Sequence, residues 1–372
     1  MLKKKKILFV VPSLKRAGAQ IQLVSLITAL DQKIITPHLF TFEENTDQLP
    51  RIDQKTIKYY NRQRRFKYDI APAREMAALI DRENIDVVHC TLQFSLLAGW
   101  LATKLAKSSP KLMVAVHTTL NRSLKDDIQE KLIYQWLMRR CDKVIFVCDN
   151  QRQFWIKKHS FLTRNSTFVY NGVDVSQYQP ELFIDPGQKL LASLSIPKEA
   201  SVLCCMARFS PEKGHRILLR AFAGLKGNPY LLLLGDGAGR NDIEQLSDQL
   251  NVRDRIRFLG NVSDVRPSLA ASNMCVLAST AVETFSMAML ESMCMGVPVV
   301  ATDIGGLSEA VFPGETGDIV PPGDMEGLRD ALQKMLNHPD QMKIMGSNGR
   351  QLVLDKFSQE SMVTNTEKIL LA

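Results

Sequence analysis

The chain has 372 residues, 45% of them hydrophobic, enough for two or three domains with large buried cores. No run of about 18 uninterrupted apolar residues occurs, no Asp-x-Asp triplet is present and the six histidines are scattered, so neither a membrane span nor a dedicated metal site is expected. The net charge of +8 divides unevenly: residues 1–172 carry +14 and the remaining 200 carry −6, a pattern expected of two domains with different partners. Seven cysteines, odd in number and without a C-x-x-C pair, lie mostly in apolar runs and read as reduced, buried thiols of a cytosolic protein.

Lys3 to Lys6 ahead of Ile7-Leu8-Phe9-Val10-Val11 could begin a secretory leader, but Pro12 stops the apolar run and Lys15-Arg16 follow. A first β-strand is expected there instead. A helix follows over 20–30, with Gly18 just before it, where a small residue lets backbone approach a phosphate. The segment Lys58 to Lys67 interleaves five cations with three aromatics; nucleic acid, an anionic membrane or a merely solvated face would each suit it. Strands over 85–89, 111–117 and 143–148 alternate with helices over 94–106 and 125–140, the βαβ pattern of a parallel sheet. His117 ends one of these strands at the edge that faces a ligand crevice in such folds, although a lone histidine there is more often structural.

A looser segment over 176–197 leads into a second domain, where the pattern restarts. Strands are expected over 201–207, 230–234, 255–259, 274–277 and 297–301, and helices over 213–225, 242–250 and 328–336. The fold class is therefore α/β, two domains in tandem, with the cleft between them as the default site. Arg208 closes a strand and Lys213 opens the next helix; two cations on one sheet edge suit a pyrophosphate, or are a structural Arg and a surface Lys. Gly235-Asp236-Gly237 resembles a dinucleotide fingerprint, but the third glycine is missing, and a tight strand-to-helix turn accounts for it equally. Glu283 and Glu291 stand eight residues apart in an apolar run of high helix propensity. On one helix they would be roughly 12 Å apart, beyond the ~5 to 9.5 Å of glycosidase carboxylate pairs. That spacing suits a ligand with hydroxyls at both ends and a charged middle. The middle would meet the N–H groups of Phe285, Ser286 and Met287 at the helix start; the plain alternative is two surface glutamates.

Taken together, Ala207-Arg208-Phe209 through Lys213-Gly214, Gly235-Asp236-Gly237, Phe258-Leu259-Gly260, the Glu283/Glu291 pair, Gly296-Val297-Pro298-Val299-Val300-Ala301-Thr302 and Gly305-Gly306-Leu307-Ser308-Glu309 resemble the retaining, family 4 (group 1) glycosyltransferases of the GT-B fold. The resemblance implies two Rossmann-like domains facing across a cleft. The first would be an acceptor-binding domain over 1–175, joined by a returning helix at about 357–372. The second would be a nucleotide-sugar-binding domain over 176–356. It implies that Arg208 and Lys213 neutralise the donor pyrophosphate, that Glu283 holds sugar hydroxyls and Glu291 the ribose, and that Gly18, Gly235 and the N–H groups at Phe285, Ser286 and Met287 complete the phosphate cradle. Backbone near Gly260 and Val262 would take the base, and His117 would lie near the anomeric carbon.

The implied activity is a metal-independent hexosyl transfer, without cofactor, from a UDP-sugar to a glycolipid or cell-surface polysaccharide precursor such as lipopolysaccharide. The implied setting is cytoplasmic, peripheral on the inner face of the membrane, with no nucleic-acid partner. Arg62, Arg64, Arg65 and Lys67 would form the membrane and acceptor patch. A non-catalytic partner subunit and a sugar-nucleotide epimerase are the alternatives. The first rests on the departures Ala17-Gly18-Ala19-Gln20 for Gly-Gly-x-Glu; Glu283-Thr284-Phe285-Ser286 likewise departs from Glu-Gly-Phe-Gly.

Overall fold

A computed structural model describes residues 4–117 and 133–372. The chain divides into two compact units, Met1–Gly172 with Gln359–Ala372, and Val173–Ser358. The first holds strands β1 (Lys5–Val10), β2 (Ile35–Thr41), β3 (Lys58–Asn61), β4 (Val87–Thr91), β5 (Lys111–Val116), β6 (Lys143–Phe146) and β7 (Ser166–Phe168), in the order β3-β2-β1-β4-β5-β6-β7. The second holds β8 (Val202–Met206), β9 (Tyr230–Leu234), β10 (Ile256–Gly260), β11 (Met274–Leu277), β12 (Val299–Thr302) and β13 (Gly317–Val320), in the order β10-β9-β8-β11-β12-β13. All pairings between these strands are parallel.

Parallel strands need helical crossovers on both faces, so the central strands are continuous apolar runs rather than alternating ones. Ile7 to Val10 and Leu231 to Leu234 are buried throughout. Successive side chains serve opposite faces: Leu8 and Val10 join one core, Ile7 and Phe9 the other. The terminal helix Gln359–Leu371 adds Met362, Val363 and Leu370 to the second of these cores. It is further tied by Gln359 Nε2 donating to the Ser25 carbonyl at 2.6 Å and by the Asp31 N–H donating to Glu367 at 2.7 Å. In each sheet the order reverses beside the first strand, between β1 and β4 and between β8 and β11. Ligands of such sheets bind off the carboxyl ends at these reversals.

Several elements depart from the sequence pattern, among them strands β7 and β13 and the helices Asp149–Lys158 and Pro339–Lys356, which it did not anticipate. The basic-aromatic segment begins as β3, an edge strand whose exposed Lys58 and Asn61 disguise it. Strand β2 and the helix Ala71–Glu83, which carries Pro72 in its first turn, escaped the pattern reading as well. The loose segment before the second unit contains a helix, Ile184–Ser193, because Pro186 falls in its first turn, where no backbone donor is lost. The helix expected over 125–140 lies mostly outside the described residues; within them Gln135–Met138 is helical. All seven cysteines are buried and outside any disulfide. No helix among the described residues is long and apolar enough to cross a membrane.

Candidate functional site

In the second unit the loops that leave β8, β9 and β10 meet around a cavity of about 370 Å³ lined by Arg208, Gly235, Asp236, Asn261, Val262 and Val265. Backbone bonds hold the three loops together: the Ala207 N–H donates to the Leu234 carbonyl at 3.0 Å, Phe209 to Asp236 at 3.1 Å, and Gly235 to Gly260 at 2.7 Å. Gly235 has φ +126°, and a Cβ on it would lie 2.2 Å from the Ala207 carbonyl oxygen. The tight-turn reading of Gly235-Asp236-Gly237 is thus correct, and the same turn lines the cavity.

The loop that begins with Arg208 then crosses to the end of β11. At Gly214, φ +69°, a Cβ would lie 1.8 Å from the Ala278 carbonyl oxygen, so only glycine lets the two backbones meet. The Thr280 N–H donates to the Glu212 carbonyl at 2.8 Å. This seam brings Lys213 Nζ to 2.7 Å from Glu283 Oε2, which also accepts from Ser279 Oγ at 3.0 Å. Both partners are largely covered, with side chains 23% and 11% exposed. On the far side the Gly306 N–H donates to the Thr284 carbonyl at 2.6 Å, so the Glu283 loop is held from both flanks.

Three expectations need correction. Glu283 and Glu291 do not share a helix: the helix is Met287–Cys294, and Ser286 caps it in extended conformation, its Oγ accepting from the Met289 N–H. The roughly 12 Å axial spacing therefore fails, because a residue that caps a helix start ends the helical phase before it reaches Glu283. Phe285, expected to offer backbone, also buries its ring edge-on against Phe357, 5.1 Å between centroids. Second, the two cations already have protein counter-charges, Lys213 in Glu283 and Arg208 in Glu212 at 3.1 Å. Third, Arg64 is not a free member of the basic patch: it pairs with Glu43 at 2.5 Å and stacks over Phe94 at 4.5 Å. Arg62 stands 3.6 Å from Glu75, while Arg65 and Lys67 are exposed beside Phe66, Tyr68 and Ile70, three exposed large apolar side chains.

His117 and Gly18 belong to the first unit. His117 lines a small cavity of about 50 Å³ with His89, Thr91 and Gln22, off the ends of β4 to β6. Burial pushes the His117 and His89 imidazoles down to about 4, so both are neutral at neutral pH and can only exchange hydrogen bonds there. Gly18 opens the helix Gly18–Ala29, and a Cβ on it would meet nothing within 4 Å. Sequence reading missed Glu212, Ser279 and Tyr178. The Arg208/Glu212 spacing was a visible signal; Tyr178, whose phenol donates to Glu291 Oε1 at 3.0 Å, carried none.

Two doubly wound parallel sheets of this order, the second carrying charged loops at its carboxyl edge, define the GT-B class of glycosyltransferase folds. HepE of Anabaena, solved with UDP and with UDP-glucose, superimposes with a TM-score of 0.84 at 22% identity, covering 98% of this chain and 99% of its own. Among sequences, the N-acetyl-alpha-D-glucosaminyl L-malate synthase of Bacillus anthracis is 28% identical over 307 residues, 81% of this chain and 78% of that one. A lipopolysaccharide core biosynthesis glycosyltransferase of Rhizobium meliloti is 36% identical over 181 residues, 49% of this chain and 52% of its own length. The family descriptions "Glycosyltransferase Family 4" and "Glycosyl transferases group 1" match residues 16–177 and 188–352. The chain belongs to this family of GT-B glycosyltransferases, group 1.

Proposed function

We propose that the protein transfers a hexose, with retention of configuration, from a UDP-sugar to a glycolipid or cell-surface polysaccharide precursor. The observation that carries this reading is the meeting of Arg208, Gly235 and Val262 around one cavity, with Lys213 and Glu283 paired on the adjoining loops. A diphosphate entering there competes with Glu212 for an Arg208 that is half exposed, and gains charge-assisted hydrogen bonds. Lys213, held by Glu283, supplies the second positive charge. As the sugar–phosphate bond breaks, negative charge grows on the leaving oxygen, and these fixed cations stabilise it. The acceptor oxygen bonds to the anomeric carbon from the same face, and its proton passes to the departing phosphate. No metal, cofactor or carboxylate nucleophile takes part. Glu283 takes sugar hydroxyls and Glu291 the ribose; His117, neutral, takes a hydrogen bond from the sugar or gives one. The UDP-glucose bound to HepE and the lipopolysaccharide role named for the Rhizobium relative support the donor and acceptor classes.

The acceptor class is consistent with docking on anionic lipid through Arg62, Arg65 and Lys67, with Phe66, Tyr68 and Ile70 entering the headgroup layer. Vesicle co-sedimentation is expected to need acidic lipid and to weaken with salt.

The decisive experiment is a thermal-shift screen against UDP-, GDP- and ADP-sugars, followed by transfer assays with the binding donor. A UDP-sugar should raise the midpoint in the parent and not in Arg208→Ala. Equal, near-zero turnover in the parent, Arg208→Ala and Glu283→Ala would assign the chain as a non-catalytic subunit. Conversion of the donor sugar without acceptor and without nucleotide release would make it an epimerase.

A further inference from the structure

Glu291 sits in the Met287–Cys294 helix, and Tyr178 reaches it from the segment that opens the second unit. The phenol donates to Glu291 Oε1 at 3.0 Å. A phenol that donates to one carboxylate oxygen restrains the rotation of the carboxylate plane. The tyrosine is itself anchored. Arg350 Nη1 donates to the Tyr178 carbonyl at 2.7 Å and also to the carbonyl of Cys294, the last residue of the helix that carries Glu291. One residue earlier, Arg266 Nη1 donates to the Gln177 carbonyl at 2.9 Å, while Asp264 grips the same guanidinium at 2.7 and 2.9 Å. Two guanidinium clamps on consecutive carbonyls place the phenol before any ligand arrives, which is how a binding group is preorganised.

We propose that Tyr178 is a positioning residue for Glu291, and that the pair makes the enzyme discriminate a ribonucleotide from its 2′-deoxy counterpart. The inference rests on the reading that Glu291 takes ribose hydroxyls. A carboxylate free to rotate can swing away when one hydroxyl is missing and recover other partners. One held by Tyr178 keeps an acceptor aimed at an absent donor, so the loss is felt in full. Burial, reinforced by the neighbouring Glu291 charge, raises the phenol pKa far above neutrality, so Tyr178 remains the donor across the working pH range.

The test is calorimetric titration with UDP and 2′-deoxy-UDP of the full chain, Tyr178→Phe and Glu291→Gln. The parent should bind UDP about 10-fold more tightly than 2′-deoxy-UDP. Tyr178→Phe, which keeps the ring and its packing, should weaken UDP about 5-fold, the equivalent of one net hydrogen bond, and reduce the preference to about 2-fold. Glu291→Gln should lose both affinity and preference. If Glu291→Gln behaves in this way while Tyr178→Phe keeps the parental affinity and preference, the positioning role is wrong although the ribose reading stands. If Glu291→Gln binds both nucleotides as the parent does, or the parent binds neither, the ribose reading fails and takes the proposal with it.

Discussion

The two units share the order of their first six strands, the first adding β7, and differ in the groups they place at their carboxyl edges. The second keeps its charges, Lys213 against Glu283 and Arg208 against Glu212, and braces them with backbone seams from three loops. The first places two neutral imidazoles, buried His89 and partly covered His117, off the ends of β4 and β5, and carries exposed cations, Arg62, Arg65 and Lys67, beyond the end of β3. Sheet topology therefore sets where a site lies, while loop composition decides whether it offers charge or neutral hydrogen bonds.

Acid should separate the units most sharply. His38, His89 and His117 of the first unit and His215 of the second titrate near 4, each chiefly because burial opposes its charged form, against 6.5 when unfolded. Between these values the unfolded chain binds more protons than the folded one, so stability falls as pH drops from 6.5 towards 4. The fully buried His38 and His89 each account for about 3 kcal/mol of that loss. With three of the four depressed histidines, the first unit should unfold at the higher pH. All three tryptophans, Trp100, Trp136 and Trp155, lie in it, so their fluorescence should change before the second part of the far-ultraviolet circular dichroism. Coincident transitions would erase the contrast.

Glu283→Ala attacks the charged edge. It leaves Lys213 partly buried without its anion, and should lower kcat/KM about 10²–10³-fold and stability by about 1–3 kcal/mol. A Lys213→Ala, Glu283→Ala cycle in urea should reveal the coupling directly.

Two glycines sharpen the comparison with smaller effects. Gly235→Ala forces a methyl into the Ala207 carbonyl at a positive φ and should cost about 1–3 kcal/mol by denaturant unfolding. Gly18→Ala, in open space at a helix start, should change stability by less than about 1 kcal/mol, if anything upwards. If Gly18 meets a donor phosphate, the same substitution should still raise the donor KM.

The elements most legible in the sequence were those whose signal is local. Apolar runs announced β1, β5, β8 and β9, and a shorter one, broken by Asp86 and His89, announced β4; the spacing of Arg208, Lys213 and Gly235 around strand ends marked the edge that carries a cavity. Less legible were elements whose burial is supplied by distant chain. Strand β3 looked like a charged patch because an edge strand keeps only one flank, and Arg64 looked free because its partners, Glu43 and Phe94, lie far from it in sequence. Glu283 was assigned to a helix on propensity, which cannot register where Ser286 turns the chain.

By itself, then, the amino-acid order determined two α/β units and the family, and it singled out Arg208, Gly235 and Val262 of the residues that line the cavity, since periodicity and short motifs are properties of neighbouring residues. Tertiary structure alone decided that Lys213 answers to Glu283, that Gly214 rests on the end of β11, and that Tyr178 holds Glu291. Those are contacts between segments 64 to 113 residues apart; the first two arise because the parallel sheet sets its loops side by side on one edge, and the third because the segment that opens the second unit returns to the Met287–Cys294 helix.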